Sequence, residues 1–407
     1  TINSSFLADA LLSPRGDKLY YLSRFESGYD LWVRDFREDV TRILAKKVGR
    51  GRMIPDKTGD SFFILAEDGI KKVGFAKGDI KPVAFNAEFV YKPEGERTYI
   101  FEHVWQQVKD KLYAPDYNGV DWDFYRSEYV KYLPHINNNF DFADMLSELL
   151  GELNVSHTGA RFFTRAGVRT ACFGAFFDRN HMGDGLKIQE ILPMGPLDGN
   201  RLKPGDIILS IEGTPLLGNT DYYPLLADKA GKKLLLTVES GGKKREVVVK
   251  PISQGDLFEL LYKRWVKRMT ATVERISGGR LAYVHVRGMD SESFRTVYSE
   301  ILGKYRSREA VIVDTRHNGG GWLHDDLAQL LSGREYCRYT PRGRYIGSDP
   351  IARWTKPSCV LVSEDNYSDA HGFPFVYRFL KIGKLIGAPV PGTMTAVWWE
   401  SQIDPSI

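Results

Sequence analysis

The rhythm of apolar and polar positions changes several times along the chain. Up to about residue 90 the apolar runs are short. Lys18-Leu19-Tyr20-Tyr21-Leu22-Ser23 and Asp30-Leu31-Trp32-Val33-Arg34 follow the turn Ser13-Pro14-Arg15-Gly16-Asp17. A second copy pairs the turn Asp56-Lys57-Thr58-Gly59-Asp60 with Ser61-Phe62-Phe63-Ile64-Leu65. Strand runs that recur with Gly/Asp turns predict repetitive β architecture. From 97 to 153 the spacing becomes helical. Phe101, Val104, Trp105, Val108 and Leu112 recur at i, i+3 and i+4, and Phe142, Met145, Leu146 and Leu149 share one face of a second helix. Asp141 is its predicted cap and Gly151 its predicted stop. Strands return between 172 and 252, closing with Leu234-Leu235-Leu236-Thr237-Val238 and Glu246-Val247-Val248-Val249 joined through a Gly241-Gly242 turn. From 255 onward helix and strand alternate. Leu281 to Val286, Ala310 to Asp314, Val360 to Val362 and Leu385 to Gly387 read as strands, with helices over Ser293 to Tyr305 and Phe373 to Leu380. The run Ala310-Val311-Ile312-Val313-Asp314 is continuously apolar before its acid, as in a sheet covered on both faces. Strand, crossover helix, strand predicts an α/β layer.

The chain has 407 residues, 43% hydrophobic and 27% charged, enough to bury a core in two or three domains. Lys+Arg 56 against Asp+Glu 52 leaves +4, too thin an excess to indicate nucleic acid. No apolar run is long enough to span a membrane, and no secretory leader is visible. The start at Thr1 suggests a cut product. Few cysteines fit the cytosol, so the compartment is read as cytoplasmic, with a periplasmic or exported protein whose leader has been removed as the alternative. Three cysteines exclude a disulfide framework; Cys172 and Cys359 sit in apolar runs and read as buried thiols. No CxxC, HExxH or EF-hand loop occurs, so neither a metal nor another cofactor is expected. Two local resemblances refine the domain picture. S-P-x-G-D-x-L-Y-Y at Ser13 to Tyr21 resembles a β-propeller blade. Two blades cannot close a ring, so the segment is either the tail of a larger propeller or a small β cap. The run Leu202-Lys203-Pro204-Gly205-Asp206-Ile207-Ile208-Leu209-Ser210-Ile211-Glu212-Gly213 resembles a PDZ domain.

Three constellations could carry chemistry. Ser156-His157 lies just past a helix stop, a base beside a hydroxyl or simply a turn with a hydrogen-bonded histidine. Gly319-Gly320-Gly321 follows a buried strand, where backbone N–H groups can approach a ligand or an oxyanion unobstructed, or where the chain is merely flexible. Ser368 follows the strand Val360 to Val362 and precedes a helix, as a nucleophile at a strand-to-helix turn or as an N-cap serine. His371 is a rival base at i+3 from Ser368. Asp314 reads as structural. A thiol enzyme is a further alternative, but Cys337 has no neighbouring histidine and Cys172 and Cys359 do not read as exposed.

The order Ser156-His157, PDZ-like segment, glycine run, Ser368-Asp369 resembles the tricorn protease family, relatives of the tail-specific, C-terminal-processing serine peptidases. The resemblance implies a multidomain α/β protein: a β-propeller-like tail over 1–90, a helical domain carrying Ser156-His157 over 91–165, a PDZ-like domain over 166–253 and an α/β catalytic domain over 254–407. It implies a serine-type peptidase with Ser368 as nucleophile, His157 as base and Ser156 orienting His157. The oxyanion hole is implied to be the backbone N–H groups of Asp369 and of Gly320 or the glycine one position away. It further implies peptide substrates and a homo-oligomer, in its more specific form a hexamer. The family's glutamate, which completes a Ser-His-Ser-Glu tetrad, has no match: Glu400 is the only glutamate after Ser368, and Trp398-Trp399-Glu400 does not fit. It is expected beyond Ile407. A non-catalytic peptide-binding scaffold is the alternative function.

Overall fold

A computed structural model describes residues 6–24, 28–88, 90–163, 167–218, 220–396 and 399–407. The chain forms two compact units, Thr1–Lys92 and Pro93–Ile407. Each is described separately.

The first unit holds β1 (Phe6–Leu12), β2 (Lys18–Arg24), β3 (Tyr29–Asp35) and β4 (Val40–Ala45) in one antiparallel sheet. A second sheet holds β5 (Gly51–Pro55), β6 (Ser61–Ala66), β7 (Gly69–Gly74) and β8 (Ile80–Val83). Each is a simple meander, as the paired turn-strand copies predict. They remain two separate four-stranded sheets, and no closed ring is formed among the described residues. Tyr20, Leu22, Leu31 and Val33 from one meet Phe62, Ile64 and Val73 from the other in a shared core. The Tyr20 hydroxyl donates to the Phe75 carbonyl (2.7 Å), and the Met53 amide donates to the Asp9 carboxylate (2.6 Å), so the two sheets are also joined by polar bonds.

The second unit opens with α1 (Pro93–Lys111), α2 (Trp122–Val130) and α3 (Asn139–Gly151). The α3 face read from the sequence is the buried one: Phe142, Leu146 and Leu149 are fully enclosed with Ile100, Phe101 and Trp122. The predicted cap is corrected. Asn138 caps α3, its side chain accepting the Asp141 amide (3.0 Å), because Asp141 already sits in the first helical turn.

The PDZ-like segment contains β9 (Ala175–Phe177), β10 (Leu186–Ile191), β11 (Ile207–Ile211), β12 (Thr214–Pro215), β13 (Leu234–Ser240) and β14 (Lys243–Val249). Its order is β14-β13-β11-β10-β9, with β12 on β11. Asp206 of the Gly-Asp turn is 2% exposed and accepts from the Lys203 amide (3.1 Å) and the Ser240 hydroxyl (2.7 Å), which explains an acid at a buried position. α4 (Gln254–Ser277) follows, started by a Ser253–Asp256 capping box and stopped by Gly278 at φ 60°.

The final layer contains β15 (Leu281–His285), α5 (Ser291–Ser299), β16 (Ala310–Asp314), α6 (His324–Leu331), the short pair β17 (Cys337–Tyr339) and β18 (Gly347–Asp349), β19 (Ser358–Val362), α7 (Asp369–Phe379) and β20 (Lys384–Gly387). The strands β15-β16-β19-β20 pair in that order, all parallel. Val311, Val313 and Val360 pack with Leu327 and Leu330 of α6 and Phe373 and Tyr377 of α7. Loops leaving the C-terminal ends of β16 and β19 therefore lie side by side, where open α/β sheets commonly place their ligands. Among the described residues no helix is long and apolar enough to cross a membrane.

The helical core supports the turn that carries Ser156-His157. Leu149→Ala is expected to lower the unfolding free energy by about 2–5 kcal/mol, through lost burial and the cavity it leaves. Urea unfolding followed by tryptophan fluorescence checks this; a change under about 0.5 kcal/mol, the range of a surface substitution, contradicts it.

Candidate active site

Ser368 stands at the N-cap of α7, yet its side chain makes no capping hydrogen bond. Its backbone is at φ 54°, ψ −124°, a conformation costly for a residue with a Cβ. Neighbours hold it there. The Ser368 amide donates to Thr393 Oγ1 (3.0 Å), and the Ser368 carbonyl accepts from the His371 amide (2.8 Å). The preceding Tyr367 amide donates to the Asn318 carbonyl (3.0 Å), tying the β19 loop to the β16 loop. Asn366, fully buried, donates to Thr315 Oγ1 (3.0 Å) and to the Ala370 carbonyl (3.2 Å). That carbonyl needs an outside donor because Pro374, four residues on, has no N–H.

The turn after α3 brings His157 to the same place. His157 is also left-handed, at φ 65°. Its amide donates to the Tyr367 hydroxyl (2.7 Å), and its ring lies 4.7 Å from the Tyr367 ring at 32°. Ser156 Oγ is 2.9 Å from His157 Nδ1. Thr395 Oγ1 lies 2.5 Å from Ser156 Oγ and 3.0 Å from His157 Nδ1. Nε2 makes no hydrogen bond among the described residues. Burial pushes the imidazole below its ordinary value of 6.5. His157, Ser368, Asp369, Gly321, Trp322, Met394, Thr395 and Ala396 together line a cavity of about 340 Å3. The hydroxyl of Ser368 and the His157 ring share that cavity without a hydrogen bond between them.

The glycine run packs directly on the Ser368 turn. A Cβ on Gly320 would lie 2.5 Å from Ser368 Cβ, and one on Gly321 would lie 2.1 Å from the Met289 carbonyl oxygen. The Gly320 amide is not free, because it donates to Asn318 Oδ1 (2.9 Å). The Gly321 amide forms no hydrogen bond among the described residues, and Gly321 lines the cavity. The Asp369 amide, at the first position of α7, is likewise unused within the helix. The Asp369 side chain is turned away and 1% exposed: it accepts the Leu323 (2.5 Å) and His324 (3.0 Å) amides and meets His324 Nδ1 (2.5 Å), capping α6.

Other candidates fall elsewhere. His371 borders a separate cavity of about 450 Å3 with Phe375, Arg378 and Ile386, and does not line the one shared by Ser368 and His157. Glu400 pairs with His103 (2.8 Å) and Lys111 (3.0 Å); Trp398 lies outside the described residues. Asp314 is fully buried; burial pushes its carboxyl up, but hydrogen bonds from Arg316 and Tyr283 outweigh this and hold it below the ordinary value. Cys172 and Cys359 are half-buried rather than fully enclosed, and burial raises both thiols. Sequence reasoning singles out none of Tyr367, Thr393 and Thr395 as site residues. Tyr367 adjoins the candidate serine, but nothing in the pattern marks the two threonines.

Residues 93–151 match the model of the tricorn protease C1 domain, 184–254 that of the tricorn protease PDZ domain, and 280–406 that of peptidase family S41. The chain is 29% identical over 376 residues to tricorn protease homolog 1 of Streptomyces coelicolor, covering 88% of this chain and 34% of that protein. It is 23% identical over 369 residues to the tricorn protease of Thermoplasma volcanium, covering 82% and 35%. It therefore spans about a third of the length of these curated relatives. A crystal structure of the tricorn protease shares the fold, with a TM-score of 0.79 at 19% identity over 96% of this chain and 40% of that one. With C1, PDZ and S41 segments matched in this order, and relatives of that name aligned along most of its length, the chain carries the C1, PDZ and S41 segments of tricorn-type proteins and is similar to the tricorn proteases.

Proposed function

We propose that this chain carries the hydrolytic centre of a serine peptidase that cleaves short peptides or unfolded chain ends through an acyl-enzyme. The observation that carries the reading is the cavity shared by Ser368 and His157. A serine hydroxyl needs a base to react at neutral pH. His157 Nε2 takes the Ser368 proton as Oγ attacks the carbonyl, then returns it to the leaving amine, and water repeats the sequence on the ester. Ser156 positions the ring through Nδ1. The tetrahedral oxygen is held by the Asp369 and Gly321 amides, each worth about 3–4 kcal/mol in such a role. Gly321 takes the part first assigned to Gly320, whose N–H is already committed to Asn318. The missing Ser–His hydrogen bond fits an unliganded peptidase, in which such bonds commonly tighten only around substrate.

The same proposal takes in the other modules. The PDZ-like segment holds a chain end of the substrate. The two N-terminal sheets are blades of a β-propeller, supported by their consecutive meanders and joint core. Assembly as a homo-oligomer, a hexamer in the form carried by the resemblance, belongs to it too, as does a cytoplasmic or exported location.

Ser368→Ala is expected to reduce peptide hydrolysis more than about a thousandfold, and a fluorophosphonate is expected to label Ser368 on peptide mapping. Undiminished turnover removes Ser368 from the mechanism; a protein that neither hydrolyses peptides nor takes the label is the binding scaffold instead. The pH profile gives an independent check. Only neutral His157 accepts a proton, and burial lowers its pKa, so the base stays competent to lower pH than an exposed histidine. The acid limb of kcat/KM is expected to have its midpoint below 6.5, and a midpoint above that value contradicts the assignment.

A further inference from the structure

Asp369 carries two groups with opposed effects. Its amide is one of the donors proposed for the tetrahedral oxygen, while its carboxylate is 1% exposed. A buried acid on the residue that supplies that donor opposes an oxyanion unless it is satisfied and turned away. Three donors do both. Oδ2 accepts the Leu323 amide (2.5 Å) and the His324 amide (3.0 Å). Oδ1 meets His324 Nδ1 at 2.5 Å, its one hydrogen-bond partner among the described residues. An ionised carboxylate only accepts, so Nδ1 carries the proton. The two amides belong to the start of α6 and are there whatever side chain stands at 324, so the Oδ1 contact alone depends on the imidazole. His324 does not line the cavity shared by Ser368 and His157. Trp322 does, with its ring 5.5 Å from the His324 ring at 71°. The imidazole therefore reaches the reacting atoms only through Asp369.

We propose that His324 is a positioning residue for the oxyanion site: its Nδ1–H holds the Asp369 carboxylate against α6, so that the Asp369 amide faces the tetrahedral oxygen and the neighbouring negative charge faces away. This rests on the reading of Ser368 as nucleophile and of the Asp369 amide as an oxyanion donor. The peptide plane that carries this amide also carries the Ser368 carbonyl. The carbonyl end is held by the His371 (2.8 Å) and Gly372 (3.3 Å) amides in the first turn of α7. The Asp369 end is anchored on α6 through the side chain. With Oδ1 unpartnered, rotation about the Asp369 Cα–Cβ bond brings the charge toward the cavity that the same residue lines. A tilted donor or a nearby charge matters most where the substrate oxygen is negative and little where its carbonyl is neutral. The contribution of His324 therefore belongs to the transition state rather than to substrate binding.

The test compares His324→Ala, which removes the donor, with His324→Asn, whose side-chain N–H can stand where Nδ1–H stood. In the intact protein His324→Ala is expected to lower kcat at least about tenfold, a fraction of what losing an oxyanion donor outright costs, with KM within about twofold. His324→Asn is expected to recover kcat to within about threefold of the unmodified protein. Unmodified kcat in His324→Ala, or a His324→Asn variant as slow as it, overturns the proposal. A peptide trifluoromethyl ketone reads the oxyanion itself: Ser368 Oγ adds to the ketone carbon, the carbonyl electron pair moves to oxygen, and the serine proton passes to His157. Its affinity for His324→Ala is expected to fall at least about tenfold, while that of the matching unreactive alcohol stays within about twofold. Equal losses for both compounds overturn the proposal. Ser368→Ala run alongside separates the failures: if it abolishes turnover while His324→Ala does not, only the role of His324 falls; if it leaves turnover intact, the underlying reading falls. Imidazole 15N NMR of the unmodified protein is informative even if His324→Ala does not fold. A proton on His324 Nδ1 is expected, and a bare Nδ1 overturns the proposal.

Discussion

Everything proposed for this site depends on two strained turns being held against one another. His157 and Ser368 are both at positive φ, 65° and 54°, where a side chain is tolerated only if the surroundings fix it. The fixing groups are shared. Tyr367 receives the His157 amide on its hydroxyl and gives its own amide to the Asn318 carbonyl. Thr393 and Thr395 hold the Ser368 amide and the Ser156-His157 pair from one short segment. No individual bond here is strong, since a net hydrogen bond contributes about 1 kcal/mol. Their value is geometric: each spans two loops that the fold alone would leave independent.

The parallel sheet supplies the platform and buried polar groups refine it. Asn318 and Asn366, both fully enclosed, use their side chains inside the two loops rather than on solvent. Leaving either unsatisfied would cost about 1–3 kcal/mol, which keeps the loops in one arrangement. Asp369 is similar: its carboxylate caps α6 while its amide faces the cleft, so a single residue ties the position of a helix to that of a donor. The fully buried Asp314 pairs with the partly exposed Arg316, and the Tyr283 hydroxyl donates to the same carboxylate (2.8 Å). These groups stabilise the ends of the strands without entering the cavity.

Much of the fold was legible because periodicity is a property of the local chain. The strands β2, β3 and β6 of the two N-terminal sheets, the buried face of α3, the Gly-Asp turn of the PDZ-like segment and the parallel strands follow from apolar spacing and turn residues, whereas β1, β4, β5, β7 and β8 were not read. The same rules did not reveal α4, none of whose residues is fully buried. They placed the α3 cap on Asp141 because a cap depends on where the first helical turn starts, and that is set by Asn138. Ser368 on its own reads as readily as a helix N-cap; only the order of Ser156-His157, PDZ-like segment, glycine run and Ser368-Asp369, through the family resemblance, singles it out. Which glycine offers its amide could not be read, since that depends on the Asn318 side chain reaching back to Gly320. Thr393 and Thr395 were illegible for the same reason. Their importance comes only from residues far away in sequence, and Gly392-Thr393-Met394-Thr395 reads as an ordinary loop.

The central claim is that the reactivity of one hydroxyl depends on one distant imidazole. The rate at which a fluorophosphonate modifies Ser368, measured before and after His157→Ala, tests it most directly. Loss of the base is expected to slow modification at least about a hundredfold, the ordinary contribution of general-base catalysis. An unchanged rate would mean that Ser368 and His157 share a cavity without sharing a proton, and the account would be wrong.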